Sequence, residues 1–148
     1  IATVRGAAAG GGLAMALASD VILCSETAAF HSAFIKIGLS GAELGVSWRL
    51  QRTIGISKAR EILLTGRPLP AAAALAAGLV SEVTADEDLD DKGLALAKEM
   101  VAAAPDALRI SKRTLDASLE AATYDAAMEI EERGQMLMIR SRTAPVSR

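Results

Sequence analysis

The feature that most restricts the fold of this chain is a run of three glycines, residues 10–12, inside VRGAAAGGGLAMALASDVIL. We expect a glycine-rich turn over residues 6–12. The Ala, Leu and Met residues that follow predict a helix over residues 13–19, because these residue types have high helix propensity. The next segment, DVILC at residues 20–24, predicts a buried strand. With a strand end at residues 1–4, this order favours an α/β fold.

Further short elements follow, separated by glycine and proline. Residues 25–30 predict a turn that leads into a short strand, and residues 35–47, with three glycines, predict a surface loop. Ser57 is expected to cap a helix that ends at Gly66. The rest of this half is predicted to contain a turn over residues 67–70, a helix over residues 71–77 and a strand over residues 79–83.

The sequence beyond about residue 86 predicts helices alone. Pro105 separates the first two, and a third, amphipathic helix is predicted over residues 124–140. Leu108, Leu115 and Leu119 fall on one face at helical spacing. An α/β first half and a helical second half indicate two architectural parts, of which the second buries apolar faces against a partner or against its own helices.

The three glycines suggest that a ligand oxygen approaches the backbone, since a missing Cβ exposes amide groups at a helix start. A dinucleotide-binding fingerprint would need glycine where Met15 stands, and a P-loop would need lysine where Gly12 stands. An oxyanion hole needs only two backbone N–H groups and therefore remains open. The alternative is that the glycines merely allow a helix to pack tightly on a strand.

Composition and charge exclude several other classes of function. The net charge is −2 and aromatic residues make up 3%, so a nucleic-acid-binding surface is not expected. Charged residues interrupt every apolar run, so we expect no membrane span. Cys24 is the single cysteine and His31 the single histidine, which favours a reducing cytoplasm, a buried inert thiol and no metal site. The chain starts at Ile1 within a strand-like run, so we expect further residues upstream.

A linked set of segments resembles the crotonase superfamily, the enoyl-CoA hydratase/isomerase family. The segments are VRGAAAGGGLAMALASDVIL, AAFHSAFIKIGLSGAELG, RTIGISKAREILLTGRPLPAAAALAAGLVSEV and the helical tail. The resemblance implies that residues 1–83 form the C-terminal part of a ββα spiral core. It also implies that residues 84–148 form a helical oligomerisation region, which gives a homo-trimer or a hexamer.

The resemblance further implies an acyl-CoA thioester as substrate, with coenzyme A as part of it and no permanently bound cofactor. The middle glycine, Gly11, would supply one oxyanion-hole N–H group, and a residue upstream of Ile1 would supply the other. By position, the residues that line the substrate site would be Gly10, Gly11, Ala14, Ala33, Phe34, Ile37 and Gly41.

The sequence departs from the family at the two glutamates that hydratases use, because Ala14 and Phe34 stand in their places. Glu43 lies in a loop where some related isomerases carry an aspartate. If Phe34, Ile37 and Leu44 partly desolvate it, its pKa would be raised and it could act as an acid/base. A solvated loop carboxylate is the alternative for Glu43.

We therefore expect an enoyl-CoA hydratase or isomerase. Two alternatives stay open: another acyl-CoA reaction, such as hydrolysis or decarboxylation, and a non-catalytic acyl-CoA-binding or assembly subunit.

Overall fold

The computed structural model describes the backbone of residues 1–143 and the side chains of residues 1–140. It divides the chain into two compact units, Ile1–Ala95 and a second that starts at Leu96. The strands are β1 (Ala2–Val4), β2 (Ala7–Ala9), β3 (Ile22–Ser25), β4 (Ala29–His31), β5 (Leu69–Pro70) and β6 (Glu82–Thr84). The helices are α1 (Gly11–Leu17), α2 (Val46–Ile54), α3 (Ile56–Thr65), α4 (Ala71–Ala76), α5 (Leu89–Val101), α6 (Pro105–Ser118) and α7 (Tyr124–Thr143).

Two small sheets form the first unit. One has the order β1-β3-β6 with parallel pairing throughout, and the other has the order β2-β4-β5. In the second sheet β2 and β4 are parallel, whereas β4 and β5 are antiparallel. The chain thus forms one strand in each sheet and then a helix. This order occurs first as β1-β2-α1 and then as β3-β4-α2. This strand-strand-helix order confirms the predicted α/β fold.

A single core lies between these sheets and the helices that cover them. All four residues of β3 are buried, and Leu13, Phe30 and Leu50 are each 1% exposed. Cys24 is buried as predicted, and its burial raises the pKa of the thiol, which keeps it in the less reactive protonated form. Within the predicted strand DVILC, Ile22, Leu23 and Cys24 are buried, whereas Asp20 is exposed. β3 therefore begins at Ile22, later than predicted, where the side chains enter the core.

Several predicted boundaries in the first unit are wrong. The predicted turn over residues 6–12 contains β2, because three alanines pair with β4, and α1 begins at Gly11 and ends at Leu17. Alanine has no strong strand preference, so this pairing is imposed by the partner strand. Residues 67–70 contain β5, since Leu69 pairs with Phe30. The last strand begins at Glu82, later than predicted.

Two further predictions need correction around the second and third helices. The predicted loop over residues 35–47 contains most of a short 3-10 turn, Phe34–Ile37, and the first residues of α2. Ser57 is not an N-cap, because α3 begins at Ile56 and Gly55 precedes it with a φ of 81°. The chain therefore passes from α2 to α3 through a left-handed glycine, a conformation that serine adopts rarely.

In the second unit, α6 and α7 cross closely. A Cβ on Gly134 would lie 3.1 Å from side-chain atoms of Ile110 and Thr114, so glycine permits this approach. Pro105 separates α5 from α6 as predicted, and it is the first residue of α6, where its missing N–H group costs nothing. The last five residues of the predicted helical region 84–148, residues 144–148, lie outside the described residues. None of the described helices is both long and apolar enough to cross a membrane.

Candidate active site

The parallel pairing of β2 and β4 brings two chain segments to the same edge of the second sheet. β2 leads into Gly10 and Gly11, and β4 leads into Ser32. The N–H group of Gly10 donates to the carbonyl oxygen of His31 at 3.1 Å, which fastens the two strand ends together. Sequence segments about twenty residues apart therefore form one small region.

The Gly11 amide lies at the start of α1 and has no hydrogen-bond acceptor among the described residues. Gly11 is the first residue of α1, and the first amides of a helix have no acceptor inside it. Among the described residues, no carbonyl or side chain accepts its hydrogen. A Cβ on Gly11 would meet no atom within 4 Å, so the space beside this backbone is open.

The other two glycines of the run have different environments. Gly10 is buried and has a φ of 51°, and a Cβ there would lie 3.0–3.4 Å from ring atoms of Phe34. Gly10 is therefore needed for its own backbone conformation and for the close packing of that ring. Gly12 is exposed, and a Cβ there would meet nothing within 4 Å.

The structure places the Phe34 ring next to Gly10, and both residues belong to the predicted site. Ala14, on α1, is partly buried and packs against the core. Ala33 is also partly buried and immediately precedes the 3-10 turn. Ile37, at the end of that turn, is 71% exposed.

Gly41 is held tightly by its surroundings. A Cβ on Gly41 would overlap the carbonyl oxygen of Leu63 and would lie 3.1 Å from the Ser32 hydroxyl. That hydroxyl, on a residue only 2% exposed, donates to the Gly41 carbonyl oxygen at 3.1 Å. Sequence reasoning missed Ser32, because one serine in an apolar segment gives no signal of its distant partner.

Glu43 lies two residues beyond Gly41 and is exposed. Its carbonyl oxygen accepts a hydrogen bond from Val46 N–H at 2.9 Å, which joins the loop to the start of α2. Of the three side chains expected to desolvate it, Phe34 is half-buried, whereas Ile37 is 71% and Leu44 67% exposed. Desolvation by these two side chains is therefore not seen in the described chain, and a catalytic role for Glu43 stays a prediction.

No group of three or more His, Cys, Asp or Glu side chains within the described residues could hold a metal ion. His31 contributes its backbone to β4, and its carbonyl oxygen binds Gly10. Among the described residues, this region therefore brings together the backbone of Gly10 and Gly11 and the ring of Phe34.

Comparisons with known proteins relate this chain to one family. The model of the family described as enoyl-CoA hydratase/isomerase matches residues 1–143. A probable enoyl-CoA hydratase of Mycobacterium tuberculosis, EchA12, is 45% identical over 138 residues, which are 93% of this chain and 48% of that protein. The chain thus spans about half the length of the curated relatives it matches.

Solved structures share the fold. A probable enoyl-CoA hydratase/isomerase from Mycobacterium abscessus superposes with a TM-score of 0.88 at 40% identity, over 90% of this chain and 51% of that one. A structure from Thermobifida fusca YX in complex with acetoacetyl-CoA gives a TM-score of 0.87 at 29% identity, over 94% of this chain and 54% of that one.

Proposed function

The chain belongs to the enoyl-CoA hydratase/isomerase family, and we propose that the full-length protein acts on an enoyl-CoA thioester. In this proposal the thioester oxygen accepts a hydrogen bond from the Gly11 amide. The observation that carries it is that this amide has no acceptor among the described residues and has open space beside it. A ligand oxygen can therefore reach the amide without displacing a protein group.

The Gly11 amide would act by stabilising charge. When a proton leaves the carbon next to the thioester, negative charge builds on the thioester oxygen, and a fixed N–H donor lowers the energy of that enolate. Removing one such donor typically costs about 3 kcal/mol in the activation barrier. The second donor would come from a segment upstream of Ile1.

The remaining residues of the proposed site favour a narrow range of proton chemistry. Ala14 and Phe34 cannot exchange a proton, so the two-glutamate hydration mechanism cannot operate through these positions. Glu43 is the acid/base that we propose. One carboxylate can remove a proton from one carbon and return it to another, which moves a double bond without any net change in atoms. Hydration would need a second acid from outside the chain.

The proposed acyl site is apolar. Its lining would be Gly10, Ala14, Ala33, Phe34, Ile37 and Gly41. Phe34 supports this proposal because its ring already packs against Gly10, next to the Gly11 amide. The relative from Thermobifida fusca was solved with acetoacetyl-CoA, so a CoA thioester is a ligand that this fold accommodates.

Turnover of a series of enoyl-CoAs by the full-length protein tests this function. We expect Glu43→Gln to lower kcat by at least about 100-fold, because general acid-base groups contribute on that scale. Glu26→Gln, which changes another exposed glutamate of the first unit, is the matched control and should retain wild-type turnover.

The outcomes separate the alternatives. Acetoacetyl-CoA binding without turnover of any enoyl-CoA would support the non-catalytic acyl-CoA-binding or assembly subunit. Release of free CoA would indicate hydrolysis, and loss of carbon dioxide would indicate decarboxylation. Unchanged turnover in Glu43→Gln would remove Glu43 from the mechanism and leave an enzyme with another acid/base.

We also propose that the protein works in the cytoplasm as a homo-trimer or hexamer, with residues 84–148 as the oligomerisation region. The buried single thiol, Cys24, supports a reducing compartment. Exposed apolar side chains on α6 and directly after it support burial against another subunit, since Leu115 is 66% exposed and Leu119, the residue that follows the helix, is 61% exposed.

A further inference from the structure

We propose that Ser32 is a positioning residue that fixes the loop of Glu43 relative to the Gly11 amide. This inference rests on the proposed function, because it assigns a role to a side chain that does not itself reach the substrate. Ser32 is one of two buried polar residues in the part of the chain that the structure describes, and the other is Ser25.

The loop of residues 39–45 has few ties to the rest of the protein. Its other hydrogen bonds join residues no more than five positions apart, such as Leu39 N–H to the Phe34 carbonyl at 3.0 Å and Val46 N–H to the Glu43 carbonyl at 2.9 Å. The hydroxyl of Ser32 supplies the longer-range bond, to the Gly41 carbonyl at 3.1 Å. Within the described residues, this is the polar link between the loop and the strand ends.

The other side of Ser32 is joined to the proposed oxyanion donor. Its neighbour His31 accepts the N–H group of Gly10 at 3.1 Å, and Gly11 is the next residue. A short path therefore runs from Gly11 through Gly10, the end of β4 and Ser32 to the loop. Each link as far as Gly41 is a covalent bond or a hydrogen bond, and Gly10, Ser32 and Gly41 are buried. This part of the path therefore has little freedom to vary the separation of donor and acid.

Tight packing makes the loop depend on this hydrogen bond. Gly41 already lies so close to the Leu63 carbonyl that a Cβ would not fit. The loop is therefore closely packed at this residue. Without the hydroxyl, the buried Gly41 carbonyl oxygen has lost its hydrogen-bond donor. A movement of the loop that lets water donate to this oxygen would then lower the free energy. Such a movement would carry Glu43, two residues on, away from its position.

Ser32→Ala in the full-length protein tests the inference by steady-state kinetics with an enoyl-CoA. We expect kcat to fall about tenfold or more and KM to change less than about twofold, because small displacements of a catalytic group lower the rate more than substrate binding. Ser25→Ala removes the other buried serine hydroxyl, at the end of β3, and should leave kcat at the wild-type value. If the alanine variant does not fold, Ser32→Cys replaces it: the thiol keeps the shape of the side chain, although sulfur is larger than oxygen, and it is only a weak donor, so kcat should again fall.

A double-mutant cycle with Glu43→Gln gives the decisive measurement. If Ser32 acts through Glu43, adding Ser32→Ala to Glu43→Gln lowers kcat no further. Two results would overturn the inference while leaving the proposed function intact. One is that Ser32→Ala lowers kcat by the same factor in the wild type and in Glu43→Gln, and the other is that Ser32→Ala has the wild-type kcat. An unchanged kcat in Glu43→Gln alone would overturn it together with the proposed role of Glu43. A wild-type protein without turnover would overturn it together with the proposed function.

Discussion

At the scale of single residues, the three consecutive glycines have three different environments. Gly10 is required by its left-handed backbone and by the Phe34 ring, whereas Gly11 and Gly12 have open space where a Cβ would be. Packing thus accounts for the first glycine and not for the second. The proposed approach of a thioester oxygen gives a reason for a glycine at position 11.

Gly11→Ala should therefore separate stability from activity. The protein itself has room for the methyl group, so we expect a melting temperature equal to that of the wild type or higher, since alanine is the better helix former. The methyl group would stand where the substrate approaches, so kcat/KM should fall at least about tenfold.

Gly12→Ala is the matched control, because its methyl group has the same freedom on the same helix. Thermal unfolding and steady-state kinetics of both variants check the prediction. Equal kcat/KM values for the two would contradict a role for the Gly11 amide.

At the scale of secondary-structure elements, a polar cluster joins connections that lie far apart in the sequence. Arg5, between β1 and β2, donates to the Asp86 carbonyl at 2.7 Å. Thr27, in the turn between β3 and β4, donates to the Asp86 carboxylate at 2.9 Å, and its hydroxyl lies 2.8 Å from that of Ser25. Three connections of the first unit are thereby held in place around one carboxylate.

This cluster predicts a pH dependence of stability. The hydroxyls of Ser25 and Thr27 and the charge of Arg5 lower the pKa of the Asp86 carboxyl from its usual 3.8. A carboxyl with a lowered pKa in the folded state stabilises the protein above the unfolded value and loses that effect as the pH falls below it. Asp86→Asn should therefore be less stable than the wild type at pH 7, and the difference should shrink below pH 3.8.

Urea unfolding at several pH values measures this difference in free energy of unfolding. Asp116→Asn, an exposed aspartate of α6, serves as the control for removing a negative charge. A difference between wild type and Asp86→Asn that stays constant below pH 3.8 would contradict the assigned role.

At the scale of the whole molecule, the second unit leaves much apolar surface open. α6 contains no buried residue, and Leu115, Leu119 and Tyr124 are 66%, 61% and 77% exposed. Monomeric proteins rarely leave such side chains together in solvent. Burial against another copy is the explanation that the proposed trimer provides.

Replacing Leu115 and Leu119 with glutamate should weaken the association of the subunits. In Leu115→Glu/Leu119→Glu we expect sedimentation velocity to show smaller species than the wild-type trimer or hexamer, because a buried unpaired carboxylate is costly. Arg113→Glu places the same residue on another face of α6 and should leave the distribution unchanged. A wild-type monomer, or an unaltered oligomer in the double variant, would contradict this assignment.

The sequence by itself determined the α/β fold, the buried strand around Cys24, the separation of two helices at Pro105 and the helical second part. These features follow from helix propensity, proline chemistry and runs of apolar side chains, which act over a few neighbouring residues. The family resemblance added Gly11 and the residues around it as a candidate site.

Tertiary structure alone decided the rest. It made a strand of Ala7–Ala9 by pairing it with β4, and it placed the Ser32 hydroxyl on Gly41. It also left Glu43 exposed where desolvation was expected. Each of these outcomes depends on which non-adjacent residues pack or pair with the segment, or on whether any of them cover it. Local propensity and periodicity cannot specify them, because they carry no information about which distant backbone supplies the partner.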